Sequence, residues 1–335
     1  MKTRFFYLLL MAVFTINLFS QNPEFQRLIQ KGIGFHDNRD YPNAINAYEQ
    51  ALKLEPGSLL AFYEIAFSYF EMKDYKNAVK FSKKVIQANK DHMLQAYIIY
   101  GSSLDLMGKT KKSIKVLEKA GKKYDHYLIH YNLAVTCMNA GYTDQAYNAL
   151  IKAIHNRPQH PGSHLLLSKV CAALNQKTQS ALALYYFLML EPGSERAKAE
   201  YPRLIKYLKE GVERKDNKNI SVYLNLLSDD PFSAVETTLS LYKSIFLLEE
   251  KSKISDMERY QQLTAHLFAS ALDFKKDNKG IFWEFYVPFF GTIQKEKMTE
   301  VFFYHISLSQ GEDVVNWLKK NEDAYTRMIH WVSLQ

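Results

Sequence analysis

Residues 37–58 read DNRDYPNAINAYEQALKLEPGS, and this stretch decides the fold because its parts return along the chain at a fixed interval. Its last four residues, Glu-Pro-Gly-Ser at 55–58, recur at 191–194, an offset of 136 residues or four steps of 34. The same pattern can be laid down five times across this region. Small residues stand at Ala44, Ala78, Ser113, Ala146 and Ser180, and seven positions further on come Ala51, Val85, Ala120, Ala153 and Phe187. Upstream, Gly32, Ala66, Gly101, Ala134 and Ser168 form a third slender column, followed three residues later by the bulkier Phe35, Tyr69, Leu104, Cys137 and Cys171. Small side chains on both arms of a helix hairpin let the arms approach closely. The larger column then fills the space between neighbouring hairpins, so that stacking buries a continuous core.

Polar or glycine-containing runs mark the turns inside the hairpins: DNRDYPNA from Asp37, EMKDYKNA from Glu71, LMGKTKKS from Leu106 and NAGYTDQA from Asn139. Pro56, Pro158 and Pro192 end their repeats, since proline cannot extend the preceding helix. With Gly32, Phe35, Ala44, Tyr48, Ala51 and Pro56 at the corresponding places, the first repeat resembles the tetratricopeptide repeat. The resemblance covers about residues 25–192. It departs from the family pattern where a Trp is usual, with Leu28, Phe62, Tyr97, His130 and His164 there instead, and the second repeat ends in Lys90 rather than proline. The resemblance implies an all-α chain built as a right-handed superhelix of about five hairpins, at 25–58, 59–92, 94–126, 127–160 and 161–194. It further implies a concave groove lined by the first helix of each hairpin, here by Tyr63, Phe67, Phe70, Ile98, Tyr131, Val135 and Leu165, with Gln26, His36, Gln95, Ser102 and Asp105 as polar residues beside them. Some members grip a terminal carboxylate with Lys, Asn and Arg on this face; Ile29, Ile33, Glu64, Gln95 and Ile99 stand in those places, so that activity is not expected. An apolar groove suits a protein segment with aliphatic or aromatic anchors, unless the C-terminal half folds back over it.

Working outward, the N-terminus carries Lys2 and Arg4 before an uncharged stretch from Phe5 to Phe19 and the small Ser20. This predicts a signal peptide over 1–20, and a protein that is exported, soluble, and periplasmic or secreted. The chain of 335 residues is 47% hydrophobic and 23% charged, a balance that excludes disorder, and its formal net charge of +8 is too moderate for a nucleic-acid binder. From 195 to 335 the 34-residue register is lost while helical periodicity continues, predicting an aromatic-rich helical C-terminal domain that caps the repeats. Trp283, Trp317 and Trp331 all lie there, with Phe282, Phe285, Tyr286, Phe289, Phe290, Phe302, Phe303 and Tyr304. Flexible connections are expected at 208–219 and 273–280.

No nucleophile elbow, phosphate-binding glycine loop, dinucleotide fingerprint or zinc-type cysteine pairing occurs, so no catalytic residue, cofactor or metal is expected. His126 and His130, and the cluster His155, His160 and His164, lack the glutamate of a zinc-protease helix and read as packing residues. Cys137 and Cys171 fall one repeat apart, farther than a disulfide spans, and read as free buried thiols. Lys111, Lys115, Lys119 and Lys122 recur at helical spacing and read as a solvated face; contact with an anionic surface is the weaker reading. The function expected is that of a non-enzymatic scaffold binding a protein or peptide partner. Two alternatives stay open: a C-terminal aromatic pocket for a sugar or other flat ligand, with an enzymatic activity, and a homo-oligomer formed through the aromatic segment.

Overall fold

A computed structural model describes residues 22–216, 219–223, 230–247 and 254–334. The expected signal segment, 1–20, lies outside them. The chain divides into two compact units, Met1–Gly141 and Tyr142–Gln335. The division falls inside the fourth repeat, whereas the sequence placed the join at 192–195.

In the first unit the helices alternate as the columns require: α1 Pro23–Asp37 with α2 Tyr41–Leu54, α3 Leu59–Glu71 with α4 Tyr75–Ala88, α5 Met93–Leu106 with α6 Thr110–Tyr124, and then α7 Tyr127–Asn139. The motif residues start and stop these helices. Asp40 caps α2, and Asp74 caps α4, each accepting from the backbone N–H and the side-chain amide of the asparagine three residues on, Asn43 and Asn77. Ser58 of the Glu-Pro-Gly-Ser motif accepts from Ala61 N at 3.3 Å and so opens α3. Its second copy works the same way, Ser194 accepting from Ala197 N at 3.0 Å. Each hairpin turns through a residue in the left-handed region, Arg39, Lys73, Gly108, Gly141 and Asn175, always five positions before the small residue of the second helix.

The small columns are close approaches. A Cβ at Gly32 would lie 2.3 Å from the ring of Tyr48, which is fully buried, and one at Gly101 would lie 2.7 Å from Leu117. Ala44, Ala51, Ala66 and Ala78 are likewise fully buried. Gly32→Ala is therefore expected to cost about 1–3 kcal/mol through overpacking. A thermal melt with an unchanged midpoint would refute this account of the column.

The second unit contains α8 Thr143–Asn156, the hairpin α9 Pro161–Ala173 and α10 Lys177–Leu190, then α11 Glu195–Lys209, α12 Ser233–Ile245, α13 Asp256–Asp273, α14 Val287–Lys295, α15 Thr299–Ile306, α16 Glu312–Lys320 and α17 Glu322–Ser333. α10 explains why the unit includes repeat residues. It is buried at every position from Thr178 to Met189, as a helix apolar on all sides must be, and its neighbours include α9, α11 and α15. Tyr185 lies at its centre among Phe268, Phe290 and Phe302, with its hydroxyl 2.6 Å from Thr264 Oγ1.

The all-α class holds, with one short strand pair beside the helices, and one expectation is corrected: 208–219 is not a plain flexible connection. α11 runs on to Lys209, and β1 Val212–Arg214 then pairs antiparallel with β2 Ile220–Val222, Val212 opposite Val222. The β-branched residues favour strands, and Asp216 shapes the bend by accepting from Asn219 N at 2.8 Å. The stretch 273–280 does connect elements, and past it the backbone widens into one π-helical turn, Phe282–Tyr286, before α14.

Candidate partner-binding surface

α3 has the composition LLAFYEIAFSYFE, apolar on every side, yet only Ala61, Ile65, Ala66 and Ser68 are buried. Its large side chains are therefore left half-buried, and three of them, Tyr63, Phe67 and Phe70, are residues the sequence placed on the groove. Ile98 on α5 and Tyr131 and Val135 on α7 are half-buried as well. Leu165 belongs to the second unit and is 8% exposed, so it offers little surface there.

The rings on α3 continue into their neighbours as a column. His36 at the end of α1 stacks on Phe67 with centroids 4.6 Å apart, Phe67 faces Tyr63 at 6.2 Å, and Tyr63 stacks on His92 at 5.4 Å with planes 7° apart. His36 is steered by its Nδ1, 2.9 Å from Ser68 Oγ. His92 was not singled out from sequence; the signal was the missing proline at Lys90, which leaves room for a loop whose last residue, His92, has φ 59° directly before α5. Beyond the column the face turns polar. Ser102 Oγ donates to Asn132 Oδ1 at 3.3 Å, and Thr110 donates to Asp105 at 2.7 Å.

One acid stands among the rings. Glu64 is half-buried, and desolvation together with the nearby charge of Asp37 raises its carboxyl to about 7. The Tyr48 hydroxyl lies near enough to offset this slightly, but it makes no full hydrogen bond.

The other residues singled out from sequence have structural surroundings. Lys111, Lys115, Lys119 and Lys122 are exposed on α6. His126 caps α7, accepting from Leu128 N at 3.2 Å, and His130 is buried with Nε2 2.8 Å from Asp125 Oδ1. Cys137 and Cys171 are buried free thiols, both pushed up by burial, Cys137 to about 11. Among the described residues no group of three or more His, Cys, Asp or Glu side chains could hold a metal ion. No described helix is long and apolar enough to cross a membrane.

The C-terminal aromatics turn inward. Phe282, Trp283, Tyr286, Phe289, Phe290, Phe302 and Phe303 are buried, and Trp283 is covered by Phe232 at 4.0 Å. A cleft of about 410 Å³ opens beside the start of α10, but both of its carboxylates are engaged: Glu236 caps that helix through Thr178 N and Oγ1 at 3.2 and 3.1 Å, and Asp230 accepts from Gln179 Nε2 and Phe232 N, each at 2.9 Å. Lys243, two turns further along the same face of α12, donates to the carbonyls of Tyr207 and Glu210 at the end of α11. Glu236 and Lys243 thus match the dipoles of two helix ends.

Residues 37–120 match the family described as anaphase-promoting complex, cyclosome, subunit 3. Several solved structures are similar to the chain. A thermophilic TPR protein of Thermus thermophilus is 16% identical, over 54% of this chain and 99% of its own, with a TM-score of 0.46. PilF of Pseudomonas aeruginosa is 18% identical, over 55% of this chain and 89% of its own, with a TM-score of 0.45. A MamA segment of Desulfovibrio magneticus is 16% identical, over 51% of this chain and 97% of its own, with a TM-score of 0.44. No curated protein matches the sequence. The helix hairpins give the chain a fold of the tetratricopeptide-repeat type, with the family match confined to residues 37–120.

Proposed function

We propose that the protein is an exported, non-enzymatic scaffold that holds a segment of another protein against the first helices of its N-terminal repeats. The ring column of α3 carries this reading, because large aromatic side chains left half-exposed on a helix face are what a segment with apolar anchors would cover. Export is supported by the basic and apolar residues of 1–20. The cleft of the second unit favours no substrate, since its two carboxylates and its ring face are already engaged.

The test is site-specific photo-crosslinking in intact cells, with the reactive residue at Phe67 or, on the opposite face, at Lys119. A discrete partner is expected from Phe67 and not from Lys119. In the purified pair, Tyr63→Ala with Phe67→Ala is expected to weaken binding by more than about tenfold, each ring behaving as an interface anchor, while the far-ultraviolet circular dichroism stays unchanged. Equal crosslinking from both positions would rule the surface out.

A further inference from the structure

We infer that the segment held on this face brings a lysine or arginine, whose stem lies along the ring column and whose charge settles between Glu64 and Asp37. The inference rests on the reading above and names the chemistry of the partner.

Three observations carry it. The first is a separation of charge between the two helices of the second and third hairpins, although α1 carries Arg27 and Lys31 beside Glu24 and Asp37. α3, α5 and α7 hold no lysine or arginine, while Glu64, Glu71 and Asp105 lie on them. α4 and α6 hold ten lysines against the single acid Glu118. A cationic segment is thus drawn to the first-helix side and repelled from the other, which fixes the face it approaches. An acidic segment, or a bare terminal carboxylate, meets the opposite field.

The second observation is Glu64 itself. It is half-buried with the Tyr48 hydroxyl nearby, and among the described residues no cation lies within ion-pair distance of it. The charge that acts on it, that of Asp37, has the same sign. Partial burial of a carboxylate without a cation costs the free protein stability. An incoming cation removes the penalty and gains from the low local dielectric. The third observation is the column of His36, Phe67, Tyr63 and His92, whose successive planes lie 29°, 11° and 7° apart. The faces inside the column cover one another, so the methylene stem of a lysine or arginine packs along its half-exposed edges while the charged end stays free to reach the acid.

The experiment pans a phage-displayed random dodecapeptide library against the full chain and measures the affinity of the recovered peptides by fluorescence anisotropy. Recovered peptides should carry a lysine or arginine beside aliphatic or aromatic residues. Glu64→Gln, which keeps the side-chain shape, should weaken them by about tenfold or more, and replacing the basic residue of the peptide with norleucine should cause the same loss in the native protein but little further loss in the variant. Peptides without a basic residue, or an affinity indifferent to Glu64→Gln while Tyr63→Ala still abolishes it, would overturn the inference and leave the groove reading standing. If no peptide is enriched, or none depends on Tyr63, both fall.

Discussion

Phe290→Ala is expected to destabilise the second unit by about 3–5 kcal/mol, a large part of the margin of an ordinary domain. Phe290 is 1% exposed, and its ring lies parallel to Phe268 at 4.5 Å and edge-on to Tyr185 and Phe302 at 6.0 and 5.8 Å. Truncation removes the transfer energy of the ring, leaves a cavity that close packing cannot fill, and breaks aromatic pairs worth about 0.5–1.5 kcal/mol each. The measurement is urea unfolding followed by tryptophan fluorescence. Because Trp283, Trp317 and Trp331 all lie in the second unit, the signal reports that unit. A transition at the native midpoint would show that this side chain is not central to the core.

Mild acid is expected to weaken the same unit through His164. This imidazole is completely buried, with Nε2 2.6 Å from the carbonyl of Pro158 and Nδ1 2.7 Å from the hydroxyl of Tyr286. The carbonyl can only accept, so Nε2 bears the proton and Nδ1 accepts from the tyrosine. Burial holds the neutral form and lowers the group to about 3. In the unfolded chain the ring takes a proton near its ordinary value of 6.5, and the folded one does not. The contribution is therefore complete above that value and is lost as pH falls through the window down to about 3, at roughly 1.4 kcal/mol per pH unit. By pH 5 the loss is about 2 kcal/mol. His305, which donates to Met189 O at 2.9 Å and faces the Tyr325 hydroxyl at 3.0 Å, is lowered for the same reason and adds to it. Glu236 acts in the opposite sense, its carboxyl being raised by burial. Comparing the native chain with His164→Leu isolates the histidine: the variant starts less stable at pH 7 but should lose about 2 kcal/mol less on going to pH 5. Parallel pH profiles for the two proteins would defeat the assignment.

The hairpins of the first unit were legible because their signal is a spacing. Gly32 and Tyr48 are sixteen positions apart, but their columns repeat, and the contact between them is the reason for both. The same spacing puts Tyr63, Phe67 and Phe70, which are half-buried, on the first helix of the second hairpin. His92 has no such mark, since it sits in a loop where the register loosens. α10 shows a different limit. Its run from Ala181 to Leu190 is apolar on every side, which one partner helix, α9, cannot cover; α11 and α15, from beyond residue 194, pack on it as well. The serines of the fifth repeat are a similar case. Ser168 and Ser180 stand in columns of small residues, and each donates to the carbonyl of the other. Arg203, from α11, then donates to both hydroxyls, a long-range contact without periodic signature.

The left-handed residue that turns every hairpin bears on how such an array can change length. Since Arg39, Lys73, Gly108, Gly141 and Asn175 keep one offset from the helix that follows, each hairpin is a self-contained cassette with its own bend. Whole cassettes can be duplicated or deleted without disturbing any other bend, whereas an insertion of one residue at the same place shifts a tiny side chain out from under its bulky partner. Heredity in this chain is therefore expected to count in hairpins.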